Sequence, residues 1–241
     1  NSKELITASR DTGLINVWNP TTGLLQRSLH LALNHLPLNN ASDDESDYTV
    51  ENITISPDGT YIASTHNHTY YPHYPDMDHE KSYSYLNEIC VAIWDGITGT
   101  LHKKINTGLI DYARCAKNNE IVFSPDGKHL ATGHLGGDLC TITLNDWSIT
   151  KLEYYYTGYV AGRQILTFSP DSTYLAATNL EHKEFPDEKH DTVIWNIKTS
   201  ELEKKYEQSN QITFSFSGKQ FALCKQQQEQ SPITIEIVSH A

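Results

Sequence analysis

The sequence predicts an all-β fold of repeated four-stranded sheets, which is the architecture of a β-propeller. Two phrases alternate along the 241 residues. One is a Ser-Pro-Asp-Gly turn between two apolar stretches, and the other is an apolar stretch that ends in Trp-Asp or Trp-Asn. The serines of the first phrase are separated by 68, 45 and 46 residues, and a period near 45 with four short strands per unit is typical of propeller blades.

The first phrase predicts the turn between the first two strands, a and b, of each unit. Its turn chemistry is local, because Pro fixes φ, Asp bonds its own backbone and Gly accepts a positive φ. The flanking stretches alternate apolar and polar residues and are rich in β-branched and aromatic types, as strands are. The four copies are Ser56-Pro57-Asp58-Gly59, Ser124-Pro125-Asp126-Gly127, Ser169-Pro170-Asp171-Ser172 and Ser215-Phe216-Ser217-Gly218.

The second phrase predicts the end of the third strand, c. It ends at Trp18-Asn19, Trp94-Asp95 and Trp195-Asn196, and in the third unit Leu144 is expected at the tryptophan position. A short turn follows each copy and leads into another apolar run, the fourth strand, d. Each complete unit is therefore predicted to contain four antiparallel strands.

Together the two phrases resemble the WD40-repeat family, and the resemblance covers almost the whole chain outside the loops. It implies a scaffold that recognises other proteins or peptides. The Gly-His pair that usually precedes strand a is missing from every unit, so the family's His-Ser/Thr-Asp-Trp hydrogen-bond network is implied only in part. In the first unit three of its positions are matched, by Ser9, Asp11 and Trp18. The residues expected to have structural roles are Ser9, Asp11, Trp18, Asp58, Trp94, Asp95, Asp126, Asp171 and Trp195.

Counting strands gives about four and a half blades. The first unit begins at strand b, over 4–8, and the fifth stops after strand c, over 233–238. We expect one WD40-like segment of a larger propeller, seven-bladed or double, within a longer chain whose remaining blades or domains are among its partners. The five units are 1–30, 51–105, 119–156, 164–206 and 210–241.

Composition excludes several function classes. The chain carries 18 basic and 30 acidic residues, a formal net charge of −12, which argues against binding to nucleic acid or to an anionic membrane surface. No apolar run approaches the roughly 18 residues of a membrane span. Cys90, Cys115, Cys140 and Cys224 are widely spaced, which favours free thiols in a reducing compartment, cytoplasmic or nuclear.

Loop lengths predict where recognition takes place. In an antiparallel blade the a–b and c–d turns lie at one end, and the b–c and d–a connections lie at the other. The a–b and c–d turns are uniformly tight, whereas every long segment is a b–c or a d–a connection. Binding residues tend to occupy loops on a rigid scaffold, so we expect partners at this second end. The long segments are 31–50, 66–87, 106–118 and 179–190.

Two groups in these loops are candidate partner-binding residues. A Tyr/Pro-rich stretch suits a protein contact, because tyrosine contributes area at low entropy cost; alternatively, the loop folds over its own blade and buries its tyrosines. An acidic run suits docking of a basic partner; alternatively, it is a solvated loop. The candidates are Tyr70, Tyr71, Tyr74, Asp43, Asp44, Glu45 and Asp47.

The histidines of the same region are candidate metal ligands. His66, His68, His73 and His79 lie near Asp and Glu residues, but their spacing matches no known metal site. We therefore expect neither a metal nor another cofactor.

The sequence contains no catalytic motif that we can identify. A G-x-S-x-G elbow, H-E-x-x-H, a P-loop and a credible Cys-His pair are all missing. We expect a non-catalytic interaction or ligand-recognition module of an intracellular multiprotein complex. Two alternatives remain open: the propeller of a larger enzyme, such as a prolyl-oligopeptidase-like peptidase, and the C-terminal sensor of a P-loop signalling ATPase.

Overall fold

The protein consists of antiparallel β-sheets that are blades of a β-propeller. The computed structural model describes residues 4–9, 12–30, 48–70, 86–111, 120–133, 139–152, 164–179, 191–225 and 233–239. These residues form strands and turns, and no helix occurs among them. Accordingly, the described part of the chain includes no helix that could cross a membrane.

Five sheets follow one another along the chain, numbered here as blades 1 to 5. Blades 2, 3 and 4 have four strands each, whereas blades 1 and 5 have three each within the described residues. Neighbouring strands pair in chain order, which is the meander expected of propeller blades. The strands are, in blade 1, β1 Leu5–Ala8, β2 Leu14–Trp18 and β3 Leu25–His30; in blade 2, β4 Tyr48–Ile55, β5 Tyr61–Tyr70, β6 Leu86–Asp95 and β7 Leu101–Asp111; in blade 3, β8 Glu120–Phe123, β9 His129–Gly133, β10 Leu139–Thr143 and β11 Ile149–Leu152; in blade 4, β12 Gln164–Phe168, β13 Tyr174–Asn179, β14 Thr192–Asn196 and β15 Glu201–Tyr206; in blade 5, β16 Ser209–Phe214, β17 Gln220–Lys225 and β18 Thr234–Ser239.

The first of two compact units comprises residues 1–55 and 59–116 and contains blades 1 and 2. Its core lies between the two sheets, where Ile15 and Val17 of blade 1 contact Ile62, Ala92 and Trp94 of blade 2. All five are at most 3% exposed. Alternate residues of each strand therefore face the neighbouring sheet, as the period of two predicts.

The second unit comprises residues 56–58 and 117–241 and contains blades 3, 4 and 5. Trp195 and Leu175 of blade 4 pack against Ala131 and Leu139 of blade 3. On the other side of blade 4, a separate cluster joins it to blade 5 through Ala176, Ile194, Phe221 and Leu223. Blade 4 is thus buried on both faces.

The predicted all-β propeller fold is confirmed, but three predicted loops are shorter than expected. Strand β4 begins at Tyr48, β5 runs on to Tyr70 and β7 runs on to Asp111. Residues 66–70 are polar and looked like a loop, yet their backbones pair with β4 and β6, as in the pair Tyr70–Leu86. Regular backbone pairing therefore outweighs the polar composition there.

In blade 3 the residue at the tryptophan position differs from the sequence prediction. Trp94 pairs with Ile62 across strands b and c, and Trp195 pairs with Leu175. The corresponding pair in blade 3 is Ile142 with Leu130. Ile142 therefore occupies the position predicted for Leu144, which instead lies two residues later, in the turn after β10.

Candidate functional site

Most of the predicted partner-binding residues lie outside the described residues. This holds for Asp43, Asp44, Glu45 and Asp47 of the segment 31–47, and for Tyr71 and Tyr74 of the segment 71–85. Tyr70 is the last residue of β5, so it is placed in a strand and not in a loop as expected. The binding roles of all seven stay predictions.

The connections of each blade divide as the loop lengths predicted. The a–b turns 56–60, 124–128, 169–173 and 215–219 and the c–d turns 19–24, 96–100, 144–148 and 197–200 are all tight. The long connections join strands b to c or d to a, at the opposite end of the blade. They are 31–47, 71–85, 112–119, 153–163, 180–191 and 226–233.

The aspartates of the Ser-Pro-Asp turns are used by the turns themselves. The Ser124 hydroxyl donates to Asp126 Oδ1 at 2.6 Å and accepts from the His129 N–H at 2.9 Å. Blade 4 repeats this with Ser169 and Asp171, also at 2.6 Å. In blade 2 the Ser56 hydroxyl donates to Asp58 at 2.7 Å. These bonds fix the turn and satisfy polar groups at its base.

The same contacts determine the charge of the turn aspartates. Burial raises the pKa of Asp126, but bonds from the Ser124 hydroxyl and the Lys128 N–H, with the nearby Lys128 ammonium, outweigh it and lower the pKa below its usual value. For Asp171, the Ser169 hydroxyl and Thr173 have the same effect on the pKa against burial. Both carboxylates are therefore ionised, and the Oδ1 atom of each is bonded within its turn, which is a structural role.

The c–d turns use an Asp or Asn in an equivalent way. Asp95 Oδ1 accepts from the N–H groups of Ile97 at 2.9 Å and Thr98 at 2.7 Å, and bonds from Thr98 and Ile97 lower its pKa. Asn19 and Asn196 accept from the corresponding turn amides of blades 1 and 4. This explains why Trp is followed by Asp or Asn in the repeated phrase.

The tryptophans of blades 1 and 2 donate to a hydroxyl on strand b. Trp18 Nε1 donates to Thr7 Oγ1 at 2.8 Å, so the partner hydroxyl belongs to Thr7 and not to the predicted Ser9. Ser9 instead contributes its backbone N–H, which donates to the Leu14 carbonyl. Thr7 lies two residues after Leu5, the cross-strand partner of Trp18, and a residue so placed faces the same side of the sheet. The third predicted residue of this network, Asp11, lies outside the described residues.

In blade 2 the network continues to a buried histidine. Trp94 Nε1 donates to Ser64 Oγ at 3.0 Å, and Ser64 Oγ lies 2.8 Å from His66 Nε2. His66 is 1% exposed. Burial, the charge of Lys104 and then that of His30 lower the pKa of His66 to about 3, so the imidazole is neutral. Sequence reasoning missed this role, although the Ser-x-His spacing on one strand face would have indicated it.

His66 is therefore part of a folding contact. Within the described residues no group of three His, Cys, Asp or Glu side chains is arranged to hold a metal ion. His73 and His79 lie outside these residues, and nothing is described of the His68 side chain.

The described cysteines are free thiols in the interior or at its margin. Cys90 and Cys140 are buried and Cys224 is half-buried. Burial raises the pKa of Cys140 to about 12, so the thiol is protonated and a poor nucleophile. Cys115 lies outside the described residues.

A buried polar cluster lies at the b–c end of blade 4. Thr178 and Thr192 hydroxyls are 2.8 Å apart, and Thr192 Oγ1 donates toward the carbonyl and hydroxyl of Ser209 at 3.2 and 3.0 Å. Beside it, the buried Asp191 forms an ion pair of 2.9 Å with Lys205. This cluster fixes the strand ends from which the connection 180–191 leaves blade 4.

Comparison with known proteins shows a β-propeller. No family model matches the chain. It is similar to the hydrazine synthase of Kuenenia stuttgartiensis, with a TM-score of 0.58, 14% identity, and coverage of 99% of this chain and 69% of that chain. The WD40 domain of Toxoplasma gondii coronin is similar with a TM-score of 0.57 and 14% identity, and the match covers 93% of this chain and 50% of that chain. The β-propeller domain of the trilobed protease of Pyrococcus furiosus is similar with a TM-score of 0.51 and 16% identity, and the match covers 80% of this chain and 55% of that chain.

These likenesses define the class of protein by fold alone, because every identity is far below the level at which function transfers. The chain spans about half the length of the coronin and protease chains that it matches. Propellers of both WD40 and peptidase proteins are among the similar structures. The chain therefore has a β-propeller fold.

Proposed function

We propose that this chain is a non-catalytic interaction module, a propeller scaffold that binds other proteins or peptides within an intracellular complex. The observation that carries this proposal is how the described blades use their reactive side chains. His66 is neutral and bonded to Ser64, Asp126 and Asp171 are engaged in turns, and the Cys140 thiol is protonated. These groups stabilise the blades and are not free for acid–base or nucleophilic chemistry.

The partner surface proposed is the end of the blades that carries the b–c and d–a connections. Tight, repeated turns occupy the other end, whereas the connections here vary widely in length. Variable loops on a regular scaffold are where proteins place recognition. The buried hydroxyl cluster of Thr178, Thr192 and Ser209 gives one of these connections a rigid base.

The chemistry of the partner follows from the charge and composition of the segments. A net charge of −12 and the acidic run at 43–47 favour a basic partner, whose association the acidic run would accelerate. Tyr70, Tyr71 and Tyr74 are the proposed apolar anchors, since buried aromatic side chains contribute most interface energy. We propose a cytoplasmic or nuclear location, with neither nucleic acid nor membrane as a direct partner.

The test replaces 71–85 by a two-residue Asn-Gly turn. Tyr70 and Leu86 already pair across β5 and β6, so such a turn closes the hairpin without disturbing blade 2. Wild-type and loop-shortened chains are used as baits in extracts of the source cells, and bound proteins are quantified by mass spectrometry. We expect at least one partner to be retained about tenfold less by the variant, roughly 1.4 kcal/mol.

The matched control is Ile97→Lys, on the c–d turn of the same blade. Ile97 is 81% exposed, so the substitution changes the tight-turn end and leaves the connection untouched. It should retain the partner fully, and circular dichroism melts should show both variants folded. Equal capture by the wild type and the loop variant, or loss in the control, would place binding elsewhere.

The propeller of a larger peptidase is the second candidate, favoured by the likeness to the propeller domain of the trilobed protease. In that case the module would restrict or guide peptides to a catalytic domain outside these 241 residues. A hydrolase domain in the same polypeptide would select this candidate over the interaction module.

A further inference from the structure

The strands of blade 2 continue beyond the blade at the end from which the b–c and d–a connections leave. They contain 8 to 11 residues each, whereas every other described strand contains 4 to 6. The additional residues remain paired, as Tyr48 with His68 and Tyr70 with Leu86 show. We call this additional part the blade 2 extension; it comprises 48–50, 67–70, 86–88 and 110–111.

Two of the three strand pairs in blade 2 change register where the extension begins. The β4–β5 register shifts between Val50 and Asn52, and the β6–β7 register shifts between Glu88 and Cys90. The second break includes Gly108 on β7, whose φ is 66°. Such breaks bend a strand and interrupt its ladder of hydrogen bonds. The central pair β5–β6 is therefore the one pair of this blade that joins the extension to the blade by an unbroken ladder.

His66 occupies this unbroken pair at the level of both register breaks. Its partners in the two ladders are Val50 on β4 and Cys90 on β6. The Trp94 indole donates to Ser64 Oγ, so the Ser64 hydroxyl hydrogen is left for His66 Nε2. The neutral imidazole therefore accepts at Nε2, and a proton taken up there displaces the hydrogen that Ser64 donates. The hydrogen bonds at the base of the extension thus require an uncharged ring.

The surroundings of His66 also disfavour a positive charge. Burial comes first, followed by the charges of Lys104 on β7 and His30 on β3, and together they lower the pKa of His66 to about 3. Of the other strands around it, β6 contributes the buried Cys90 thiol and β4 contributes the half-buried Glu51 at the register break. An open conformation that admits water returns the pKa toward 6.5, so a proton binds the open conformation in preference to the closed one.

We propose that the blade 2 extension is a pH-sensitive switch, which opens at the two register breaks when His66 takes up a proton. In the open form the ladder beyond His66 separates and water reaches the imidazole, while the body of the blade stays folded. The open population should rise about 30-fold between about pH 8 and about pH 5, because the open form alone takes up the proton in this range. An effect on recognition rests on the proposed function, because the connection 71–85 leaves from the end of the extension.

The test is hydrogen exchange of the whole chain, measured by mass spectrometry and corrected for the intrinsic exchange rate at each pH. It requires no partner, so its result does not depend on the proposed function. We expect the protection of 86–88 to be about 30-fold lower at about pH 5 than at about pH 8. His66→Gln cannot take up a proton, so in this variant the protection should be equal at both pH values.

The matched control is 91–94 on the same strand, on the other side of the register break. Urea at about 1 M should accelerate the exchange of 91–94, which opens with the blade, because unfolding exposes much surface. The exchange of 86–88 should stay nearly unchanged, because a local opening exposes little surface.

The wild type alone supplies a second measurement, should His66→Gln fail to fold. Between about pH 6 and about pH 4.5 the protection of 86–88 should fall about tenfold per pH unit, the slope for one proton. Protection that does not depend on pH, or a pH dependence that persists in His66→Gln, would overturn the proposal. So would equal acceleration of 86–88 and 91–94 by urea, because the opening would then be the unfolding of the whole blade.

Discussion

Acidification should destabilise the protein through the single imidazole of His66. Its pKa is lowered from 6.5 to about 3 in the folded chain, so folding favours the neutral form. The stabilisation is complete above the unfolded-state pKa of 6.5 and is lost as the pH falls toward 3. By proton linkage, the free energy of unfolding falls by about 2 kcal/mol between about pH 8 and about pH 5. The total loss approaches a limit near about 5 kcal/mol at lower pH.

The assay is urea denaturation followed by circular dichroism at about pH 8 and about pH 5. His66→Gln keeps an amide beside Ser64 but cannot titrate, so its free energy of unfolding should vary about 2 kcal/mol less over this range. The control is His102→Gln, because His102 is exposed on β7. The control should follow the wild type.

The chosen pH range separates His66 from the turn carboxylates. The pKa values of Asp126 and Asp171 are lowered, so their stabilisation is present above the unfolded-state value near 3.8 and is lost only below it. Equal pH dependence of the wild type and His66→Gln above pH 5 would refute the reasoning. It would mean that the imidazole is either accessible to water or charged in the folded chain.

Two further substitutions test contacts of blades 1 and 5. The Arg27 guanidinium donates to both Glu4 carboxylate oxygens, at 2.9 and 3.0 Å, and to the Gly96 carbonyl, so Arg27→Lys should lower the free energy of unfolding by about 1–2 kcal/mol in urea denaturation. The control is Lys103→Arg on the exposed strand β7. An equal effect of the control would argue against a stabilising role of the paired Arg27–Glu4 hydrogen bonds. Phe216 is fully exposed at the turn position that proline occupies in the other three copies. Phe216→Pro should raise the unfolding free energy by about 0.4–1 kcal/mol, and a loss of stability would contradict equivalence of the turns.

The strand order could be predicted from the sequence because the turns are chemically explicit. Ser, Pro, Asp and Gly at fixed offsets determine the a–b turns of blades 2 and 3, and the Asp or Asn after the tryptophan determines the c–d turns of blades 1, 2 and 4. Errors arose where the pattern weakened. In blade 3 the tryptophan is replaced by Ile142, and only the pairing of Ile142 with Leu130 fixes the register.

The functional residues could be predicted less well, for a physical reason. Composition groups His66 with the neighbouring histidines, whereas its role depends on Ser64, two residues earlier, and on Trp94, on the adjacent strand. Such cross-strand contacts depend on register, which a one-residue shift would reverse. Recognition by variable loops has no such repeat, so the sequence suggests chemistry for the segments 31–47 and 71–85 but no geometry.

The four tryptophans are distributed over blades 1 to 4, so tryptophan fluorescence reports on each of these blades. Blades 1, 2 and 4 carry one indole each at the same strand position, Trp18, Trp94 and Trp195, and blade 3 carries Trp147 in its c–d turn. Val238 takes that position in blade 5, which therefore contributes no tryptophan fluorescence. Emission reports the melting of the first four blades, while far-ultraviolet dichroism counts all five. A difference between the unfolding midpoints of the two curves would show how independently of the other blades the last blade unfolds.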